Sequence, residues 1–219
     1  MNKRQSSILS FLDELGGPAA APGGGAAAAL SGAMSAALVE MVCNLTIGRS
    51  SFAQFEADLK GVLAQSQALR AELTGLFESD QEAFQQVMAA YRLTKRTETE
   101  RQTRRAAIQA ALQQANQVQL AVILACVNLV GLVRQIVDQI NPNTLGDLAA
   151  AVTLAEAGIR VAHLNLAINL GLMNDSENEE LIQQQLKEAF TRLKHDKTLV
   201  FNYTLTRSGA STAIVDTLD

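Results

Sequence analysis

Tryptophan is absent from this 219-residue chain, and aromatic residues make up only 4% of it. The apolar content, 48% of the residues, therefore rests mainly on alanine and leucine. With abundant Gln, Glu, Lys and Arg beside them, these are good helix formers, and only three prolines interrupt them. No stretch shows the alternation of a strand, and there is neither a strand–helix–strand rhythm nor a repeat period. An excess of basic charge is missing too. A net charge of −4 excludes the phosphate-neutralising surface of a nucleic-acid binder. The two cysteines, Cys43 and Cys126, lie inside apolar runs and read as buried free thiols in a reducing, cytoplasmic setting. There are only two histidines, His163 on an apolar helix and His195 in a charged one, and no cluster has metal-ligand spacing. No serine occupies a nucleophile elbow. Chemistry is left to carboxylates, amides, backbone N–H groups and a few cations. The basic start "MNKRQSSILSFLDELGG" makes a poor signal peptide, because Ser10, Asp13 and Glu14 break its apolar part.

What is present is helix from end to end. Residues 4–15 carry Ile8, Phe11, Leu12 and Leu15 at helical spacing, and Gly16-Gly17-Pro18 stops them. A second helix is expected over 25–48. A third is expected over 52–93, with a break near Gly75 or Ser79. On it Phe77, Phe84, Met88 and Tyr91 share a stripe that reads as core. Thr97 and Glu100 form a capping box, so a fourth helix should start near Glu98 and run through "LAVILACVNLVGLV" to about residue 139. "NPNT" breaks it, and a fifth helix covers 145–173. Ser176 and Glu179 form a second capping box that opens a charged last helix to about residue 204. Residues 208–219 carry no helix signal and read as a tail beyond a single domain of residues 1–207.

The second, fourth and fifth helices are apolar on nearly all sides and belong at the centre, with the others wrapping them. The expected architecture is all-α, a multi-helix up-and-down bundle-like array. So much apolar helix in a chain this size implies covering by a second copy, as a homodimer. Residues 26–47 are about long enough to span a membrane, but Glu40 and Asn44 are expensive in lipid, and a helix buried in protein explains them better.

The candidate site begins at "APGGGAAAALSGAM". Glycines ahead of a helix N-terminus can bring an anion or a polarised oxygen against unpaired N–H groups, or can simply make a tight turn. The small residues Gly32, Ala33, Ala36 and Ala37 let a neighbouring helix come close. Asp147 reads either as the capping partner of Thr144 or as a functional acid. Asp80 has the same two readings, because a first-turn carboxylate also suits a helix dipole. Glu40 is buried by pattern and so paired or facing a cavity, with Asn44 one turn further on. Glu156 and Arg160 form an i,i+4 surface pair. Asn165 and Asn169, amid Leu, Ile and Ala, need partners on other helices or a polar pocket. Asp147 and Asn165 lie about five turns apart, roughly 27 Å, too far for one small group.

The stretch "FLDELGGPAAAPGGGAAAALSGAMSAALVEMVCNLTIG" resembles the methenyltetrahydrofolate cyclohydrolase and formiminotetrahydrofolate cyclodeaminase family. The resemblance continues through "DQEAFQQVMAAYRL", "RAAIQAAL", "DLAAA" and "LNLAINLGLMND", covering about residues 8–175. It implies an all-helical dimer with a folate crevice near the subunit interface and no metal or redox cofactor. The implied reaction is hydrolysis of 5,10-methenyltetrahydrofolate to 10-formyltetrahydrofolate. The alternatives are ammonia release from 5-formiminotetrahydrofolate and a non-catalytic dimer that binds folate or a partner. Within that resemblance Asp147 and Asp80 become candidates for pterin recognition and proton transfer, and Arg49 and Lys95 for holding the glutamate tail. Gly23, Gly24, Gly25, Asn44, Asn165 and Asn169 would line the pocket. No nucleic acid or membrane partner is implied. The sequence departs from the family's usual pattern at Thr94, Gln119, Gly146, Arg49, Phe52 and His163; at Gln119 the usual residue is proline.

Overall fold

The computed structural model describes residues 7–173 and 176–209. Among these residues there are six α-helices: α1 (Ile8–Leu15), α2 (Gly24–Thr46), α3 (Glu56–Arg92), α4 (Glu98–Ile136), α5 (Leu145–Leu170) and α6 (Ser176–Ser208). Short 3-10 turns, Ser50–Phe55 and Pro142–Thr144, lead into α3 and α5. No strand occurs among the described residues. Of the tail expected over residues 208–219, Ser208 still belongs to α6; residues 210–219 and the side-chain cap at Ser176 lie outside what is described.

α2, α3, α4 and α5 form an up-and-down ring in which each helix packs on its two neighbours, with α2 also touching α4 across the middle. α6 lies along α4 and α5. α1 docks through Phe11, whose ring meets Phe77 edge-on at 5.2 Å, while Ile8, Leu9 and Leu12 stay exposed. Of the stripe expected to be buried on α1, only Phe11 is.

The alanine-rich character of α2 explains how four helices fit around one axis. A methyl at Gly32 would stand 2.6 Å from Cys126 Sγ, and one at Gly158 would stand 2.9 Å from the Ala28 carbonyl oxygen. The three central helices therefore cross at a point with no room for another carbon. Hydroxyl groups bond to carbonyls between neighbouring helices: Ser66 Oγ of α3 to Ala36 O of α2 at 2.9 Å, and Ser31 Oγ of α2 to Leu154 O of α5 at 2.8 Å. Leu59, Leu73, Ile123, Leu129, Leu148 and Leu166 fill the core around the crossing.

α3 is one unbroken helix, contrary to the expected break near Gly75 or Ser79. Thr74 and Ser79 turn their hydroxyls back to the carbonyls of Arg70 and Gly75, so neither competes with the helix ladder. The Thr97–Glu100 capping box is present. The cap read as one alternative for Thr144 and Asp147 is not. Thr144 ends a 3-10 turn, and its hydroxyl donates to Asn141 O at 2.7 Å rather than capping α5. Glu156 is more than half of a surface pair, because Lys197 of α6 joins Arg160 on its carboxylate at 2.9 Å. Burial pushes Glu156 upward, but the bonds and charges of Arg160 and Lys197 outweigh that and hold its carboxyl below the usual value.

By length and composition, α2 and α4 could cross a membrane; 50% and 67% of their most apolar windows are buried in the bundle.

Candidate active site

α3 and α4 run on beyond the points where α2 begins and α5 ends. Their protruding hairpin has its own small core of Ala90, Ile108, Ala111 and Leu112, backed by Val87 and Met173. A crevice of about 300 Å³ opens where this hairpin stands over the N-terminus of α2 and the C-terminal turns of α5. Its floor is Gly23–Gly25, its walls include Phe84, Leu112, Asn165 and Asn169, and Asp80 and Gln119 stand inside it.

The triglycine corner has a definite structural reason. Gly23 caps α2 with no side chain, so the first N–H groups of the helix lack intrahelical acceptors. Asp80, reaching across from α3, supplies what a capping side chain would: its carboxylate accepts from the backbone N–H of Ala26. It also accepts from Gln119 Nε2 at 2.6 Å. Gly25 lies so close beneath this pair that a Cβ there would collide with Asp80 and come within 2.6 Å of Gln119 Nε2. Glycine is required at that position for close approach. At Gly24 a methyl would meet Asn165 and Val161 at 3.6 Å, an ordinary contact.

Burial pushes the Asp80 carboxyl above its ordinary value, and the bonds from Gln119 and Ala26 offset part of that rise. A partly desolvated acid in a polar crevice, with peptide N–H groups at a helix start beside it, can move a proton and steady a developing negative oxygen.

The predicted residues thus divide. Asp80, Gly23, Gly24, Gly25, Asn165 and Asn169 meet in one crevice. Asn44 and Arg49 are exposed at the far end of α2, and half-buried Asp147 stands at the start of α5. Because Thr46 and Asn141 are hydrogen-bonded, these three share the opposite end of the bundle, about 33 Å from the crevice by helix rise. Lys95 is exposed at the tip of the α3–α4 hairpin and does not line the crevice. Glu40 pairs with Arg70 at 2.7 Å and takes no part in the crevice. His163 packs edge-on against Phe190. Phe84, expected in the core, lines the crevice, and Tyr91 is exposed beneath the Arg104 guanidinium.

Gln119 is the polar residue missing from the predicted set. The sequence marked it only as a departure from a usual proline, and a pairing across 39 positions leaves no local signal. Among the described residues no group of three His, Cys, Asp or Glu could hold a metal ion.

Residues 7–188 match the formiminotransferase-cyclodeaminase family. Over 182 residues the chain is 46% identical to a methenyltetrahydrofolate cyclohydrolase of Methylorubrum extorquens, covering 83% of this chain and 86% of that protein. It is 32% identical over 195 residues to the formimidoyltransferase-cyclodeaminase of Rattus norvegicus, covering 89% of this chain but 36% of that longer protein. A crystal structure of formiminotetrahydrofolate cyclodeaminase from Thermotoga maritima superposes with a TM-score of 0.84 at 28% identity, over 92% of this chain and 97% of that one.

Proposed function

The chain belongs to the formiminotransferase-cyclodeaminase family, and from that premise we propose that it is an enzyme hydrolysing 5,10-methenyltetrahydrofolate to 10-formyltetrahydrofolate in the cytosol. The observation that carries this reading is the placement of Asp80: one partly desolvated carboxylate, held by two hydrogen bonds, faces the same crevice as the triglycine corner. The identity to a cyclohydrolase over most of both chains supports the reaction chosen.

The substrate carries an amidinium carbon between two nitrogens. Water adds to that carbon, and Asp80 takes one of its protons. The resulting tetrahedral adduct collapses by breaking the bond to the ring nitrogen N5, which leaves with the proton Asp80 returns. The second proton of the water is released, the carbon becomes a formyl group on N10, and the cationic substrate has become a neutral product. A carboxylate at this place also favours the cationic ground state, so the stronger help must come where the oxygen develops charge. The N–H groups of Gly24 and Gly25, at the positive end of α2, suit that oxygen. Asn165 and Asn169 offer amides for the polar edge of the pterin.

The site in this reading is completed by a second copy of the chain. α2 exposes Met34, Met41 and Leu45, and α5 exposes Val161, Leu164, Ile168 and Leu172. Ile168 and Leu172 also edge the crevice. A twofold-related copy packed antiparallel over these stripes would cover them and set its own Asn44, Arg49 and Asp147 beside the crevice. Asp147 then recognises the pterin, while Asp80 moves the proton. Arg49 and Lys95 then hold the glutamate tail from two sides.

The experiment is a bleaching assay. Methenyltetrahydrofolate absorbs in the near ultraviolet, and the protein should bleach it faster than buffer alone. Bleaching no faster than buffer, with ammonia released from 5-formiminotetrahydrofolate, would move the protein to the activity of its cyclodeaminase relatives. Folate binding without either reaction would reduce it to a binding protein.

A further inference from the structure

Gln119 does something for the crevice that its cost to the fold does not explain. It is 3% exposed and sits in the middle of α4. Its Nε2 donates to Asp80 at 2.6 Å, while its Oε1 is buried with no hydrogen-bond partner among the described residues. A buried acceptor left unsatisfied is destabilising, so an apolar residue of the same size would suit the core better. The amide cannot turn over to cure this while Asp80 is ionised, because its oxygen would then face the carboxylate. One side of Gln119 is given up to hold the other against Asp80.

We propose that Gln119 is the positioning residue for Asp80, fixing its carboxylate on the triglycine corner and leaving the carboxylate's remaining face to the substrate. The inference rests on the reading of Asp80 as the proton carrier. Among the described residues of one copy, no other charged side chain lines the crevice: α2 presents the Ala26 N–H and Gly25, α5 presents Asn165 and Asn169, and α4 presents Gln119. Replacing Gln119 therefore changes the proton affinity of Asp80 without removing a charge.

Gln119→Leu removes the donor and keeps the bulk. Gln119→Glu keeps the shape and sets a second carboxyl against the first. In Gln119→Leu, the limb of the pH–rate profile governed by Asp80 should move up by about one to two pH units. At neutral pH kcat should fall about tenfold or more with KM within about twofold, while the melting temperature should change little, because loss of the bond to Asp80 and removal of the unpaired Oε1 act in opposite senses. Gln119→Glu should move the limb further. Profiles that superimpose on the wild type after scaling, or a loss confined to KM and stability, would overturn the assignment. Titration of the Asp80 carboxyl carbon by NMR supplies a second readout, and it should rise by about one unit or more in Gln119→Leu. If the wild type fails to bleach methenyltetrahydrofolate, the functional reading falls, and an unmoved NMR titration still refutes the role of Gln119 by itself.

Discussion

Replacing Gly25 with alanine tests the corner most directly. The added methyl would stand 2.5 Å from Asp80 Cγ and 2.6 Å from Gln119 Nε2, where ordinary contact begins at 3.4 Å. The carboxylate must retreat by about 1 Å, and the 2.6 Å bond from Gln119 cannot survive that shift together with the Ala26 bond. Overpacking of this kind costs about 1–3 kcal/mol. Loss of a hydrogen bond to a charged group costs about 1.5–3 kcal/mol, part of which water entering the crevice restores. A net loss of about 2–4 kcal/mol corresponds to a melting temperature lower by roughly 5–15 °C in a chain of this length. If Asp80 carries the proton as proposed, displacing it by about 1 Å should cost about a hundredfold in turnover. Thermal unfolding by circular dichroism and the bleaching assay read both. Two neighbouring substitutions serve as controls. Gly24→Ala meets only contacts at 3.6 Å, and Gly75→Ala meets nothing within 4 Å, so in the melting temperature the first should be neutral and the second stabilising by up to about 1 kcal/mol. A Gly25→Ala protein that melts and turns over like the wild type would refute the close packing of glycine and carboxylate.

Asp80→Asn should lower turnover at least a hundredfold yet leave the melting temperature equal or higher. Burial holds the Asp80 carboxyl above 3.8, so the native state keeps a proton the unfolded chain has released, and its contribution turns less favourable as pH rises above about 4. The pH dependence of stability in Asp80→Asn should lack that component. Cys43 and Cys126 are buried, and their thiols are pushed up to about 11 and about 12. Neither should react with a thiol reagent in the native protein, and both should react in denaturant. Leu164→Glu, on the exposed stripe of α5, should convert a dimer to a monomer in light scattering and lose activity with little change in helicity. A protein that is monomeric before the substitution and fully active would end the proposed two-copy site.

Much of this fold could be read from the sequence because its signals are local. Periodicity located the helices, and the Thr97–Glu100 pair located the start of α4 to the residue. The triglycine corner stood out in the sequence, but as either an anion site or a tight turn. What approaches it could not be read, since Asp80 reaches Ala26 from another helix and neither residue's neighbours in the chain encode the rotation between α2 and α3. Gln119 shows the same limit, and so does the split of the candidate residues between the two ends of the bundle. Thr144 failed in the opposite direction. Its spacing to Asp147 matched a cap, but the 3-10 turn starting at Pro142 had already claimed its hydroxyl.

The meeting of Gly32, Gly158 and Cys126 has a mechanical consequence for the chemistry. Gly32 is about two turns from Gly25, roughly 10 Å along α2. That stretch is a short stub projecting from a clamp and buried along its length through Ala26, Ala28 and Ala29, so the geometry of the proposed site inherits its stiffness from contacts that never see the substrate. Slack introduced at that clamp would surface as lost precision at the far tip of the stub before it surfaced as unfolding.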